Sequence, residues 1–262
     1  MMRALYTAAT GMNAQQFHLD TISNNLANVN TTGFKYNIAT FQDLIYQTLR
    51  APGSPVGASV VPVGQDAGLG VKVGGTPKVF TQGSLVQTGN ALNAAIEGPG
   101  FFQITLPDGT IAYTRDGSFT KDQNGTMVTA DGYFLSPQIT IPANAINVNI
   151  GTDGTVTALQ QGSNGQPTTL GQITLARFTN EQGLQAFGKN LYLQTAASGA
   201  PILSQPGLNG TGVLQGGWLE NSNVSVVDEM VQMIVAQRAY EANSKAITTS
   251  EQMLSTAIQV KQ

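Results

Sequence analysis

The apolar positions of the first thirty residues recur with the period of an α-helix. Large apolar side chains are spaced seven apart at Leu5, Met12, Leu19 and Leu26. A weaker row follows three residues after each of them, at Ala8, Gln15, Ile22 and Val29. Two such rows are typical of a coiled-coil helix. They predict one helix over residues 3–30, about 40 Å long at the rise of an α-helix. Gly33 can adopt the left-handed backbone conformation that often follows the last residue of a helix, so we expect the helix to end before it.

The last forty residues repeat this pattern. Apolar side chains are again seven apart at Val226, Met233, Tyr240, Ile247 and Leu254. The companion row is weaker and consists of Met230, Gln237, Ser244, Glu251 and Ile258. We predict a helix over residues 222–260, with Asn221, Ser222 or Asn223 as its cap. Each predicted helix carries one glutamine in its weak row, Gln15 or Gln237, and a polar residue there can fix the register of a helix pair.

The region between the two helices changes character twice. Residues 37–72 become rich in Pro, Gly and Val and predict an extended arm. Residues 73–218 contain short apolar or alternating runs separated by tight-turn dipeptides. Asp-Gly stands at 108–109, 116–117, 131–132 and 153–154, and Asn-Gly at 124–125, 164–165 and 209–210. This spacing predicts an all-β domain of sandwich or open-barrel type.

The predicted fold class is therefore α+β, with one domain inserted into another. A discontinuous coiled-coil core domain comprises residues 1–36 and 219–262, and the arm and the β-rich domain, residues 37–72 and 73–218, lie between its halves. Pairing the helices closes a loop that costs about 5 kcal/mol of chain entropy. Each buried Leu or Ile returns about 1.5–3 kcal/mol, but Ala, Gln and Ser interrupt the rows. We expect helices that are poorly ordered in the monomer and ordered in a polymer.

The polar side chains of the first helix are amides more often than charges. Between Ala4 and Phe34 the only formal charge is Asp20. Asn24, Asn25 and Asn28 lie off the apolar rows, and amides donate and accept hydrogen bonds without an ion to desolvate. We therefore expect this helix to be enclosed by protein, with these amides where neighbouring subunits meet. Two alternatives remain open: the asparagines only finish the helix and its turn, or the N-terminus is frayed.

Composition excludes several classes of function. Charged residues are 10% of the chain and the net charge is −3, with no basic block of the kind that nucleic acid requires. The absence of cysteine excludes disulfides and thiolate chemistry. No apolar run approaches the length of a membrane span or resembles the core of a secretory signal. We expect no nucleic-acid partner and no direct membrane insertion.

Candidate chemistry is equally sparse. His18 is the single histidine and no GxSxG motif accompanies it, so a polar residue on a packed helix face is the favoured interpretation. The stretch 122–125 has the start of a calcium loop without its remaining ligands and predicts a β-turn. We expect no catalytic residue, no cofactor and no metal. A secreted β-domain binding module with oligomerising ends remains a rival, and an enzyme is the weakest candidate.

Four stretches resemble the bacterial flagellar rod and hook proteins. They are SNNLANVNTTGFK at 23–35, GPGFFQI at 98–104, YTRDGSF at 113–119 and NSNVSVVDEMVQMIVAQRAYEANSKAITTSEQML at 221–254. Ser23 stands where the family usually has alanine, and the resemblance covers the whole chain. Within this family, YQTLRAPG at 46–53 and the chain length are most similar to the distal rod subunits. A proximal rod or hook-type axial subunit is the alternative.

The resemblance implies a self-assembling subunit of a straight tube, the drive shaft of the flagellar basal body. The terminal helices would line a channel, the arm would reach between subunits and the β-domain would form the outer wall. The tube would cross the periplasm inside the P and L ring proteins, joined end to end with proximal rod subunits and hook or hook-junction subunits. Export would proceed through the flagellar type III apparatus without a cleaved signal peptide.

These expectations identify two sets of residues. The predicted subunit-interface residues are Leu5, Met12, Leu19, Ile22, Asn24, Asn25, Leu26, Asn28, Met233, Gln237, Tyr240, Ile247 and Leu254. The residues predicted to make the arm stiff are Tyr46, Gln47, Arg50, Pro52 and Gly53.

Overall fold

A computed structural model describes residues 2–53, 55–56, 59–60, 62–161 and 166–259. The helices are α1 (Met2–Ala27) and α2 (Val226–Gln259). The strands are β1 (Thr40–Asp43), β2 (Gln47–Arg50), β3 (Pro55–Val56), β4 (Ser59–Val60), β5 (Gln65–Ala67), β6 (Val71–Gly75), β7 (Leu85–Gln87), β8 (Ala94–Glu97), β9 (Phe101–Thr105), β10 (Ile111–Thr114), β11 (Thr120–Lys121), β12 (Met127–Val128), β13 (Phe134–Ser136), β14 (Ala145–Ile150), β15 (Thr155–Gln160), β16 (Pro167–Gln172), β17 (Leu175–Arg177), β18 (Gln185–Gly188), β19 (Leu191–Leu193), β20 (Ile202–Ser204), β21 (Val213–Gly216) and β22 (Trp218–Glu220). A helix at each end and a strand-rich middle confirm the α+β prediction.

The chain divides into two compact units, each built from separate stretches of sequence. Unit 1 comprises Met1–Ala27, Asn37–Pro77 and Ser225–Gln262, and unit 2 comprises Asn28–Tyr36 and Lys78–Val224. The boundaries differ from the predicted ones in two ways. The predicted arm belongs with the helices, and residues 28–36 and 219–224 belong with the strands, because their hydrogen bonds are made there.

In unit 1 the two helices pack against each other through small residues. A Cβ atom on Gly11 of α1 would lie 2.8 Å from Nδ2 of Asn243 on α2, so the backbones approach closely there. The inner row of α2 contains Glu229, Ala236, Asn243 and Ser250. The companion row was therefore predicted one residue too late. Ala236 is 1% exposed, whereas Gln237 points outward, because only a small side chain fits where two helices come this close.

The segment predicted as an extended arm forms antiparallel ribbons instead. Strand β1 pairs with β6, β2 pairs with β5, and β3 pairs with β4. The β1–β6 ribbon lies on α1, where Thr10 Oγ1 accepts a hydrogen bond of 3.4 Å from the backbone amide of Val71. On the same helix the His18 ring packs edge-to-face on Phe41 with ring centroids 5.8 Å apart. His18 is thus a packed polar residue, and burial lowers its pKa.

Unit 2 is built around an antiparallel sheet in the order β11-β12-β13-β9-β10-β19-β18, in which β17 also pairs with β9 and β20 pairs with β17. Strands β14, β15 and β16 form a second sheet, and β8 and β7 pair with β21 and β22. The central strand β9 is buried on both faces. Phe102 enters the main core and Phe101 enters a separate aromatic cluster with Tyr113, Phe178 and Tyr192. Neighbouring residues of a strand face opposite sides of the sheet, and here both sides are covered, so both phenylalanines are fully buried.

The tight-turn dipeptides behave as their chemistry predicts, with one exception. Glycines 109, 125, 132, 154 and 210 have positive φ angles. Gly117 does not, and it is needed for another reason: a Cβ atom there would overlap the carbonyl oxygen of Ala94. The dipeptide at 164–165 lies outside the described residues.

A buried ion cluster joins four stretches of unit 2 that are distant in sequence. The Lys35 ammonium donates to Glu220 Oε1 at 2.6 Å and to the Thr81 carbonyl at 2.7 Å. Glu220 Oε1 also accepts from the Gly83 amide at 2.9 Å, and Arg115 lies 3.4 Å from Glu220 Oε2. The side chains of all three charged residues are at most 2% exposed. Burial lowers the pKa of Lys35 and of Arg115, and the Glu220 carboxylate opposes this shift in both.

Removal of the Glu220 carboxylate should strongly destabilise unit 2. Glu220→Ala leaves two buried cations without their counter-ion, which costs about 3–5 kcal/mol of unfolding free energy. Trp218, the only tryptophan, stands two residues away, so its fluorescence during urea unfolding reports on this unit. Glu97→Ala removes an exposed carboxylate of unit 2 and should change stability by about 0.5 kcal/mol or less. Equal stabilities of the two variants would contradict the role given to Glu220.

Candidate assembly surface

The apolar rows of both helices lie largely within unit 1. Ile22 is 2% exposed. The half-buried members are Leu5, Met12, Leu19, Leu26, Met233, Ile247 and Leu254. Tyr240 is more open, at 39% exposure. Packing inside the chain is thus the contact that these residues make here, and their role toward a neighbouring copy stays a prediction.

Asn25 is the most constrained amide of α1. Its Nδ2 donates to the Asn37 carbonyl at 2.9 Å and to Glu229 Oε1 at 3.1 Å, and its Oδ1 accepts from the Asn37 amide at 2.9 Å. The residue is 2% exposed. It therefore ties the end of α1 to residue 37 and to the first turn of α2. These three hydrogen bonds lie within the chain, and the role of Asn25 toward a neighbouring subunit stays a prediction.

The other two asparagines are placed differently. Asn28 follows the last residue of α1, and its Oδ1 accepts a hydrogen bond of 3.1 Å from Thr31 Oγ1, which finishes the turn. Asn24 has an exposed side chain on the last turns of the helix. The inter-subunit role stays a prediction for Asn24 and Asn28.

The first turn of α2 is acidic, with Asp228 and Glu229 next to each other. Negative charge is favourable at a helix N-terminus. Burial raises the pKa of Glu229, the hydrogen bond from Asn25 opposes that shift, and the neighbouring Asp228 adds to it. Asp228 itself is exposed.

The N-terminal half of α2 has a second apolar face, which we call the α2 stripe. Its members and their exposures are Val227 (71%), Met230 (51%), Val231 (54%), Ile234 (58%) and Val235 (57%). Their spacing of three and four residues places them on one side of the helix. A helix that is apolar on two faces needs two partners, and the described part of unit 1 supplies one of them.

Sequence reasoning missed most of this stripe. Only Met230 was assigned to a helix row, and that row was expected to face α1. The signal was present in the run MVQMIVA at 230–236, where apolar residues outnumber the positions of a single face. A strict seven-residue template selects one seam and ignores a second apolar face.

The five predicted arm residues are all exposed. Gln47 and Arg50 belong to β2, which pairs with β5 in a register that shifts between Thr48 and Arg50. Pro52 packs against the returning strand, since a Cβ atom on Gly64 would lie 2.8 Å from its Cδ. The two sides of the hairpin therefore pack closely against each other at Pro52 and Gly64.

Evidence of small-molecule chemistry is lacking in the described part of the chain. No group of three or more His, Cys, Asp or Glu residues there could hold a metal ion. The acidic stretch at 122–125 is a turn, in which Asp122 Oδ1 accepts from the backbone amides of Asn124 and Thr126, each at 2.9 Å. None of the described helices is long and apolar enough to cross a membrane.

Comparison with known proteins decides the family. Family models described as flagella basal body rod protein, flagellar hook protein FlgE/F/G D1 domain, and flagellar basal body rod FlgEFG protein C-terminal match residues 5–35, 95–158 and 215–260. The flagellar basal-body rod protein FlgG of Borreliella burgdorferi is 52% identical over 100% of this chain and 99% of its own length. This chain belongs to the flagellar basal-body rod and hook family.

Further relatives narrow the position of the chain within this family. The FlgG proteins of Buchnera aphidicola subsp. Schizaphis graminum and Caulobacter vibrioides are 52% and 48% identical, over 97% and 99% of the chain and 98% and 100% of their own lengths. The flagellar hook protein FlgE of Helicobacter mustelae is 49% identical over 52% of the chain, but over only 30% of its own length. The chain is a structural rod subunit of the basal body, most like the distal rod protein FlgG, as its motifs predicted.

Removal of the Asn25 amide should loosen the helix ends of unit 1. Asn25→Ala deletes three hydrogen bonds and leaves both backbone groups of Asn37 without them, which costs about 2 kcal/mol. Amide hydrogen exchange in the last turns of α1 should accelerate about 30-fold. Asn13→Ala changes an exposed asparagine of the same helix and should leave these rates within about threefold of wild type. Unchanged exchange rates in Asn25→Ala would contradict the role of Asn25 in holding the end of α1 to residue 37 and α2.

Proposed function

We propose that this rod subunit self-assembles into the straight tubular distal rod, the drive shaft of the flagellar basal body. The terminal helices form its inner coiled-coil domain around a central channel. The observation that supports this most directly is the α2 stripe, because a soluble helix with two apolar faces is built to be covered on both. The β-rich unit 2 is the outer wall.

The size of the stripe suits a polymer better than a stable dimer. Its five side chains are more than half exposed, and covering the remainder of each returns about 1 kcal/mol. Association costs about 4–15 kcal/mol in lost translational and rotational freedom. One such contact is therefore weak, and several per subunit are needed. A lattice supplies several, so subunits remain separate when dilute and polymerise when concentrated.

Assembly also orders the helices in this proposal. The inner row of α2 consists largely of small or polar residues, and such a row stabilises a pair less than leucines do. A neighbouring subunit that covers the stripe adds the missing apolar contact. Slow hydrogen exchange throughout α1 in dilute monomer would contradict this part.

The proposal extends to the surroundings of the rod, and membership of the rod and hook family supports it. Proximal rod subunits and hook or hook-junction subunits continue the tube at its two ends, and the P and L ring proteins surround it in the periplasm. The chain is exported through the flagellar type III apparatus without a cleaved signal peptide, a route that suits a cysteine-free chain with a weakly paired helix domain. It needs no cofactor, metal, nucleic acid or membrane insertion, and it catalyses no reaction.

A hook-type or proximal axial subunit is the second candidate, and the partial match to a hook protein is the observation that favours it. Filament geometry separates the candidates, since a distal rod is straight and stiff whereas a hook bends. The hairpin around residues 46–64 is our proposed source of stiffness. We propose that this closely packed hairpin lies between neighbouring subunits and limits their sliding past each other.

A single substitution that introduces a charge tests the role of the α2 stripe. Ile234→Asp places a carboxylate in the stripe and should abolish tubes of concentrated protein in negative-stain electron microscopy, because the contact would bury an unpaired charge. Ile258→Asp is the matched control, since this isoleucine lies on the same helix and is 64% exposed against 58% for Ile234. Wild-type tube formation by Ile234→Asp would remove the stripe from the interface.

Stiffness is tested by deletion. A chain that lacks residues 46–64 should still assemble through its helices, but its tubes should be curved, with a persistence length well below that of wild type. Images of single tubes give this length directly. Straight, rigid tubes from the deletion variant would refute the role of the hairpin.

A further inference from the structure

Unit 1 has an open cavity far along α2 from the stripe. Its volume is about 600 Å³, and small residues form most of its wall. The residues that matter here are Arg3, Ala4, Ala8, Ala67, Gly68 and Ala246. They come from the first turns of α1, the end of β5 and the middle of α2.

The wall of this cavity leaves room for large apolar side chains. Ala4, Gly68 and Ala246 are exposed, so the cavity opens to solvent. A Cβ atom on Gly68 would make only ordinary contact with Tyr46, at 3.5 Å, so the protein's own packing does not demand the missing side chain there. A space bounded by alanine and glycine accepts a valine, isoleucine or methionine from outside.

The α2 stripe of the same chain cannot fill this cavity. Val231, at the centre of the stripe, is fifteen residues from Ala246 along one continuous helix. That separation is about 22 Å. The two surfaces are therefore distinct, and each copy of the chain carries one of each.

Charge at the two surfaces is complementary. Arg3 is an exposed cation at the edge of the cavity, and Asp228 is an exposed anion at the start of the stripe. Neither belongs to an ion pair among the described residues. A stripe that enters the cavity brings an acidic helix start to a basic rim.

We propose that the α2 stripe of one copy fills the Ala4–Ala246 cavity of the next copy, with Arg3 opposite Asp228. The inference rests on the proposed polymer and names the contact within it. Because the two surfaces differ, the contact is heterologous and leaves a free stripe at one end and a free cavity at the other. In a straight rod, where successive copies do not close a ring, it generates an open, directional strand of subunits.

The cysteine-free chain allows a direct test. In the double variant Ile234→Cys/Ala246→Cys the two thiols are twelve residues apart on one helix. That is about 18 Å, well beyond the Cα separation of about 7 Å that a disulfide tolerates. Every disulfide is therefore intermolecular. We expect oxidation under tube-forming conditions to give a ladder of covalent oligomers on a non-reducing gel.

The single variants distinguish this arrangement from a symmetric one. Ile234→Cys alone and Ala246→Cys alone should stay largely monomeric, and a mixture of the two should give dimers without a ladder. A symmetric contact would instead cross-link one single variant to itself. Ala246→Cys/Ile258→Cys is the matched control, with the same twelve-residue spacing and an equally exposed isoleucine, and it should give no ladder.

Charge reversal gives a second readout. Arg3→Asp and Asp228→Arg should each raise the critical concentration for tube formation about threefold to fivefold, and the combined variant should restore it. If the wild-type chain itself formed no tubes, both the proposed polymer and this contact would be overturned. Normal wild-type tubes, without a ladder from the Ile234/Ala246 pair or without rescue by charge reversal, would overturn the contact alone.

Discussion

The stability of unit 2 depends above all on the buried ion pairs and hydrogen bonds of the Glu220 carboxylate. This carboxylate receives Lys35, Arg115 and the Gly83 amide, while the backbone carbonyl of the same residue accepts from the Gly33 amide at 2.8 Å. Burying these charges is costly unless every partner is in place. The cluster therefore forms only when four stretches of sequence, near residues 33–36, 79–83, 115 and 220–223, have come together. Asn223 reinforces the same set, since it accepts from the Tyr36 amide and donates to the Val79 carbonyl, each at 2.9 Å.

Unit 1 is organised on the opposite principle. Its inward contacts combine small residues, half-buried apolar side chains such as Met233 and Ile247, and one satisfied amide, Asn25, which makes its three hydrogen bonds within the unit. A second set of apolar side chains on α2, the stripe, points outward. Close helix approach defines the shape of unit 1, whereas in the proposed polymer burial of the outward apolar residues would supply the free energy of association.

In the proposed rod, this division would let a subunit that is separate when dilute become part of a stiff tube. Each exposed contact is too weak to hold two copies together when they are dilute, yet it repeats in every subunit of a lattice. The stripe and the cavity are different surfaces of the subunit, so in the proposed contact each copy offers one of each to its neighbours. In the same proposal the hairpin of β2 and β5 resists sliding, and it is a separate element from the stripe.

Sequence alone determined the elements whose physics is local. Heptad spacing predicted both helices because backbone geometry fixes the period, and Asp-Gly and Asn-Gly dipeptides predicted tight turns because glycine tolerates positive φ. The family followed from motifs spread along the chain. Tertiary structure decided which face meets which partner. Ala236 instead of Gln237 faces α1, Phe101 and Phe102 are both buried on opposite sides of β9, and Asn25 bonds Glu229, 204 residues away. No local pattern encodes such choices, because they depend on the space left by residues that are distant in sequence.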